Sequence, residues 1–492
     1  MSFSIGNSQS NSLRHGVSNS TTNQSQLDAI ITPVFRGDRV PRAERKRPSH
    51  LALRILRRKP AASAEHSLAA PLVWYKPDYI AKCSIAAGCF MNGIGMTHQR
   101  SGYDRALAIA CLIVLSFPLL LVLPKVVDGS FMLGLDFSCF WSAGTMALDG
   151  HAAAAYDWQQ LRQLILRIQP GLNQAPFPVY EVPIPFFYPP VFFFLAAPLA
   201  LLPFPTAFWI WSAAKLLCWA LVVWAIRPRS IALLLAFAMP PVLYDFFVGQ
   251  CSLLAASLLG GILLTLDRRP IVSGLLIALL IFKPQFGFLL PFVLIATGRW
   301  RVVITASLAI LVLMLLTGLT FGWDTLEGFR AAAIFATTQF HFTGTLAWYK
   351  LQSIYGLLRF AGLGYGSAMA VHIAVAAAVT IWAMMIWRRN VSFAVKAASL
   401  LAGTLLVSPY FAIHDMATLA LALVFLMNAP PSEQGSLFSN RSAIRIGYGV
   451  LVVLGFAYIA LIPVGPLMCA TVIAMIWMRC RQPDVKSDLA YG

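Results

Sequence analysis

Residues 302–320, VVITASLAILVLMLLTGLT, run for nineteen positions without a charged side chain. At 1.5 Å per residue a helix of that length covers roughly 28 Å, which matches the ~30 Å hydrocarbon core of a bilayer. Backbone in that solvent must satisfy its own hydrogen bonds, so the stretch reads as a membrane-crossing helix. Similar apolar runs recur to either side, near 206–226, 231–248, 251–266, 270–283 and 285–297 before it, and 366–387, 393–408, 412–427, 446–462 and 464–478 after it. Composition agrees, with 59% hydrophobic and 11% charged residues among 492. The expected fold is all-α, a polytopic transmembrane helical bundle.

A first span from about Arg105 to Pro124 has a basic amino-terminal flank, which puts that end in the cytoplasm and the following loop outside. The Arg pairs 227/229, 268/269, 299/301, 388/389, 441/445 and 479/481 then all fall in linkers of one parity, the inner one. The opposite linkers, 249–250, 283–285, 321–365 and 408–415, face outward. One run breaks the count: 187–203, FYPPVFFFLAAPLALLP, with prolines at 189, 190, 198 and 203. Proline removes a backbone donor and ends helices, so this piece is expected to be re-entrant or interfacial.

The formal charge of +18 would suit nucleic acid, but position decides otherwise. Residues 1–105 carry fifteen Lys/Arg against six Asp/Glu, half of the excess, in a Ser/Asn/Gln-rich segment that cannot bury enough apolar surface to fold. Residues 1–100 are therefore expected to be a disordered basic cytoplasmic tail, suited to anionic lipid heads, with no nucleic acid partner. Met91 and Met96 would each serve as a start for a membrane protein, so part of the tail need not be translated. Residues 481–492 form a second short cytoplasmic tail, leaving 101–480 as the membrane domain. The eight cysteines are scattered, with no CxxC pair, so neither a disulfide framework nor a zinc site is indicated.

The chemistry clusters on the outward linkers. Leu133 to Asp157, LGLDFSCFWSAGTMALDGHAAAAYD, sets Asp136, Asp149 and Asp157 at the membrane surface in a chain where acids are scarce. Asp136 is the candidate general base for a hydroxyl, with an N-cap of the following helix as its plain alternative. Asp149, beside Gly150, and Asp157 suit turns. Lys283 suits a phosphate as a flexible point charge, or else snorkels to the interface, and Gln285 stands two residues on. His414 could donate to a phosphate or orient an acceptor, whereas Asp415 suits a helix cap. Lys215 lies inside a span, where an ionisable group is a functional candidate by default or pairs with a buried carbonyl or carboxylate. Arg330, His341 and Lys350 occupy the long outer segment, within reach of an acceptor or a phosphate. Trp348 and Tyr349 could stack on a sugar or simply anchor the boundary.

Five pieces in order, the 136–157 loop, Tyr188-Pro-Pro190, Gly249-Gln250, FKPQFG at 282–287 and SPYFAIHD at 408–415, resemble the membrane glycosyltransferases of family 87, of the GT-C type. The resemblance covers roughly residues 100–430. It departs at 410–413, where Tyr-Phe-Ala-Ile stands for a usual Ser-Trp pair, a difference that bears on the acceptor. It implies a GT-C-like bundle with a helical outer loop after the first span. It also implies transfer of a hexose, mannose-like, from a polyprenyl-phosphate carrier to a glycolipid or polysaccharide hydroxyl, with inversion. The site would face the periplasm of a bacterial plasma membrane. Asp136 and His414 become the catalytic candidates, with Lys283, Gln285, Asp149, Tyr188, Gln250, His341 and Lys350 binding substrate. No cofactor or metal is expected, since the leaving group is a lipid phosphate and no acidic pair suits a cation. A transporter or flippase of lipid-linked sugar is the alternative, but it calls for inverted repeats that the sequence does not display.

Overall fold

A computed structural model describes residues 108–116, 120, 133–169, 185–338, 348–429, 440–457 and 462–480. The tails assigned to 1–100 and 481–492, and His341, lie outside these residues. Of the first apolar run, 108–116 is helical. Among the described residues all regular structure is helical. The chain forms α1 (Leu135–Leu148), α2 (Trp158–Ile168), α3 (Phe193–Ala200), α4 (Phe204–Ile226), α5 (Ser230–Phe237) and α6 (Pro240–Val248). It continues through α7 (Ser252–Thr265), α8 (Pro270–Leu279), α9 (Leu290–Ala296), α10 (Trp300–Phe321), α11 (Asp324–Phe335) and α12 (Ile354–Phe360). The last elements are α13 (Tyr365–Arg388), α14 (Phe393–Val407), α15 (Thr418–Met427), α16 (Asn440–Ala457) and α17 (Gly465–Cys480).

Three of these, α4, α10 and α13, are long and apolar enough to cross a bilayer alone. Their solvent is written in their exposed faces. On α4 the buried residues Trp211, Lys215, Trp219 and Val223 repeat every fourth position, while Ile210, Leu217, Leu221 and Trp224 point outward. On α10, Leu308, Leu311, Val312, Leu315 and Leu319 are all exposed. Apolar surface on this scale belongs against lipid.

The other apolar helices are shorter than the sequence suggests. α5 and α6 make one span only as a pair bent by 63°. Pro240 and Pro241 supply no amide to carry the ladder through, and Met239 before them is extended. The runs at 251–266, 270–283, 285–297, 393–408 and 412–427 are long enough in sequence to be read as crossings, but they form helices of 10–17 residues even with their flanking turns. That is on the order of 15–25 Å. Two of them are sheathed by their neighbours: α14 is buried throughout from Ala397 to Leu406, and α15 from Thr418 to Leu426, whereas α8 still exposes Ile271, Leu275 and Leu279 and α9 exposes Phe292 and Ile295. For α14 and α15 protein stands where lipid would, so the bilayer does not dictate their length. The Pro-rich piece forms a 3-10 turn at Pro190–Phe192 running into α3, with Pro198 inside the helix. Together these reach about 16 Å, too little to cross.

Two glycines dock α1 onto the α6–α7 turn. Gly134 (φ 73°) and Gly249 (φ 75°) both adopt the left-handed conformation that side chains disfavour. A Cβ on Gly249 would stand 2.6 Å from Phe137 Cβ and 3.4 Å from Gly134 Cα. The Gly134 amide donates to the Phe247 carbonyl at 2.9 Å. The first turn of α1 is thereby held against residues 247–250.

Candidate functional site

Asp136 lies in that first turn. The N-cap of α1 is Gly134, with no side-chain cap, so Asp136 is not the helix cap that the sequence allowed. Its Oδ2 instead accepts from Gln250 Nε2 at 3.0 Å. Gln250 can present only its amide group there, because its Oε1 already accepts from the Tyr188 hydroxyl (2.6 Å) and the Cys251 amide (2.9 Å). The Cys251 thiol donates in turn to the Tyr188 hydroxyl at 3.5 Å. Burial pushes the Asp136 carboxyl up to about 6, against the Gln250 hydrogen bond and the Lys350 and Lys283 charges, with Asp245 adding to the rise. Its carboxylate is thus poised within a unit or so of neutral pH, where a base works best.

Beyond the turn the polar chain continues. Ser252 Oγ donates to Asp415 Oδ1 at 2.6 Å, and Lys283 Nζ donates to the same oxygen at 2.5 Å and to Ser252 Oγ at 2.6 Å. Lys283 is therefore a buried ion-paired lysine, not the free interfacial cation of either sequence alternative. Asp415 caps the 3-10 turn Ile413–Ala417, its Oδ2 accepting from the Ala412 amide at 2.8 Å, and its Oδ1 in addition holds Lys283. His414 Nε2 stands 3.7 Å from Asp415 Oδ2, and its ring stacks on Tyr244 at 6.2 Å. Its buried Nδ1 has no hydrogen-bond partner among the described residues.

Deeper still, Lys215 Nζ meets Asp245 Oδ1 at 2.5 Å. Asp245 and Ser252 are the two members of the network that sequence reasoning missed. An acid within the apolar run 231–248 was a legible signal, since a charge there needs a partner.

The remaining candidates are placed as follows. Lys350 ends the half-buried turn Trp348–Lys350. Gln352 two residues on ties this segment to the 409–415 loop, its amide donating to the Phe411 carbonyl at 2.6 Å, and Ser353 Oγ donates to the Pro409 carbonyl at 2.7 Å. Burial lowers the Lys350 ammonium, and the Asp136 charge opposes that. Gln285 is half-buried beside Lys283. Asp149 sits exposed at the opposite end of α1 from Asp136, on the order of 20 Å away along the axis. Asp157 caps α2 through the Gln159 amide at 2.8 Å, and Arg330 forms an exposed pair with Glu327. Trp348 carries the Arg359 guanidinium over its ring at 4.4 Å.

A groove of about 360 Å³ opens between α3 and α4, walled by Leu195, Pro198, Leu199, Trp211, Ala214 and the Lys215 stem. Trp211 links it to the polar network, since its ring packs on Phe137 and Phe140 and its Nε1 donates to the Gly249 carbonyl at 2.9 Å. Among the described residues no three His, Cys, Asp or Glu side chains gather as metal ligands would.

Fold and site together define an all-helical membrane protein with a buried carboxylate–lysine–histidine network at the foot of an apolar groove. Residues 186–409, a little under half of the chain, match the family model of glycosyltransferase family 87, and that match supports membership of the family. Tyr188, Lys215, Asp245, Gln250, Ser252, Lys283 and Lys350 fall inside the matched region; Asp136, His414 and Asp415 flank it. Neither the curated proteins nor the solved structures contain a match to this chain.

Proposed function

We propose that residues 101–480 form a catalytic domain that transfers a mannose-like hexose from a polyprenyl-phosphate carrier to a hydroxyl of a glycolipid or polysaccharide. The site opens to the periplasm of a bacterial plasma membrane, in keeping with the Arg-bearing linkers that the sequence assigns to the inner face. The observation that carries this is the single hydrogen-bonded network joining Asp136, through the 249–252 turn, to Lys283, Asp415 and the His414 loop.

Asp136 Oδ1, left open while Gln250 occupies Oδ2, takes the acceptor's hydroxyl proton. The acceptor oxygen bonds to the anomeric carbon from the face opposite the phosphate, inverting the configuration. The carbon–oxygen bond to phosphate breaks, and its electron pair stays on the lipid phosphate. One negative charge thus moves from Asp136 to the departing phosphate, so the reaction shifts charge within the site without changing its total. The last N–H of Lys283 and the ammonium of Lys350 stabilise that phosphate, since fixed cations act most strongly where charge develops. His414 orients the acceptor through Nδ1. The groove beside Trp211 holds the carrier's isoprenoid chain, with Tyr188 and Gln285 lining the way to the sugar.

Purified full-length protein with a short-chain polyprenyl-phosphate hexose and a glycolipid acceptor tests this. Wild type transfers the sugar, and Asp136→Asn, folded in membranes, does not. Transfer retained in Asp136→Asn overturns the assignment of the base.

A further inference from the structure

We infer that Lys215 and Asp245 are positioning residues for sugar transfer: a buried ion pair that locks the α6–α7 turn, so that Gln250 meets Asp136 on one side while Ser252 meets Lys283 and Asp415 on the other. The inference rests on Asp136 being the base proposed above. Neither residue can touch a substrate, because every polar atom is already used. Lys215 Nζ donates to Asp245 Oδ1 (2.5 Å), the Asp245 carbonyl (2.9 Å) and the Gln250 carbonyl (2.7 Å), which exhausts its three protons. Asp245 Oδ2 accepts from the Ser252 amide (2.9 Å) and the Leu253 amide (3.2 Å). Both side chains are fully buried.

The pair sits between two helix ends of opposite polarity. The ammonium meets carbonyls at the carboxyl end of α6, and the carboxylate meets the first free amides of α7, whose own N-cap, Cys251, offers no side-chain bond. The residues it clamps are those that pass the network onward: Gln250 by its carbonyl and Ser252 by its amide. The lysine stem also walls the apolar groove, so the side chain that fixes the turn borders the space assigned to the carrier lipid.

A purely structural pair would cost stability when removed and leave each folded molecule working normally. The test compares wild type with Lys215→Met/Asp245→Asn, which removes both charges at constant shape and keeps an acceptor for the Ser252 and Leu253 amides. Sugar transfer is followed against pH in full-length protein, and the Asp136 carboxyl is titrated by infrared absorption, its band identified by its loss in Asp136→Asn. The double variant is expected to melt as a folded protein, with kcat down about 100-fold and donor KM within about threefold. The Asp136 midpoint should rise, because the Gln250 amide that favours the carboxylate is no longer held in place. A folded double variant with wild-type kcat and an unmoved midpoint overturns the inference. If the double variant does not fold, Lys215→Arg keeps the charge but cannot reach all three acceptors, and the same two outcomes decide. Transfer surviving in Asp136→Asn would sink the base assignment alone, since the infrared midpoint still reports whether the pair sets Gln250 against Asp136.

Discussion

The sharpest prediction concerns the acid side of the pH profile. With the Asp136 carboxyl at about 6, roughly nine-tenths of it is ionised near pH 7 and roughly one-tenth near pH 5, so kcat/KM should fall about tenfold across that interval. A carboxyl at its ordinary value would still be almost fully ionised near pH 5 and give a flat profile. Gln250→Leu removes the hydrogen bond to the carboxylate. Such a bond to a charged group is worth about 1.5–3 kcal/mol, or about 1–2 pKa units, which would carry the limb to about pH 7–8. The sign follows from the bond favouring the ionised form: without it the proton is held more tightly, and the active carboxylate appears only at higher pH. Initial rates with a phosphodiester donor suit the measurement, because the donor itself does not titrate in this range. A wild-type limb near pH 4, or a Gln250→Leu limb that stays put or moves down, would refute the reasoning.

Other tests follow from the same geometry. Lys283→Met strands the Asp415 carboxylate and should lower stability by up to about 3–5 kcal/mol in a thermal or denaturant melt; adding Asp415→Asn should recover much of the loss. Any side chain at Gly144 collides with the Ala196 carbonyl where α1 packs on α3, so Gly144→Leu should cost about 1–3 kcal/mol and reduce transfer by displacing Asp136. Transfer should persist in EDTA, since the leaving phosphate is met by lysines; loss that Mg²⁺ restores would contradict the charge scheme.

The apolar runs made the helix positions legible to within a few residues. α10 and α13, expected at 302–320 and 366–387, run from Trp300 to Phe321 and from Tyr365 to Arg388. Their depth was less legible. α14 and α15 are apolar on all sides, so no amphipathic stripe tells a sheathed helix from a lipid-facing one, and the bend before α6 shows only as a proline pair. At the site, Asp136, Tyr188, Gln250, Lys283 and His414 could be named because they interrupt apolar sequence at its ends. Asp245 is legible as an acid inside an apolar run, but its partners are not: Lys215 lies thirty positions earlier, and the Ser252 and Leu253 amides are presented only by the folded turn. The same holds for Lys283, whose partner Asp415 is 132 residues away.

The break at Pro240 also makes α6 a lever. It has nine residues, about 13 Å, between the proline fulcrum and the turn that bears Gln250. A swing of about 5° at that fulcrum would move its tip about 1 Å, enough to cost an enzyme about two orders of magnitude. Gly455 on α16 rests against the fulcrum, where a Cβ would lie 3.1 Å from Pro240 Cβ. A helix near the end of the chain therefore packs against the pivot from which the Gln250 amide reaches Asp136.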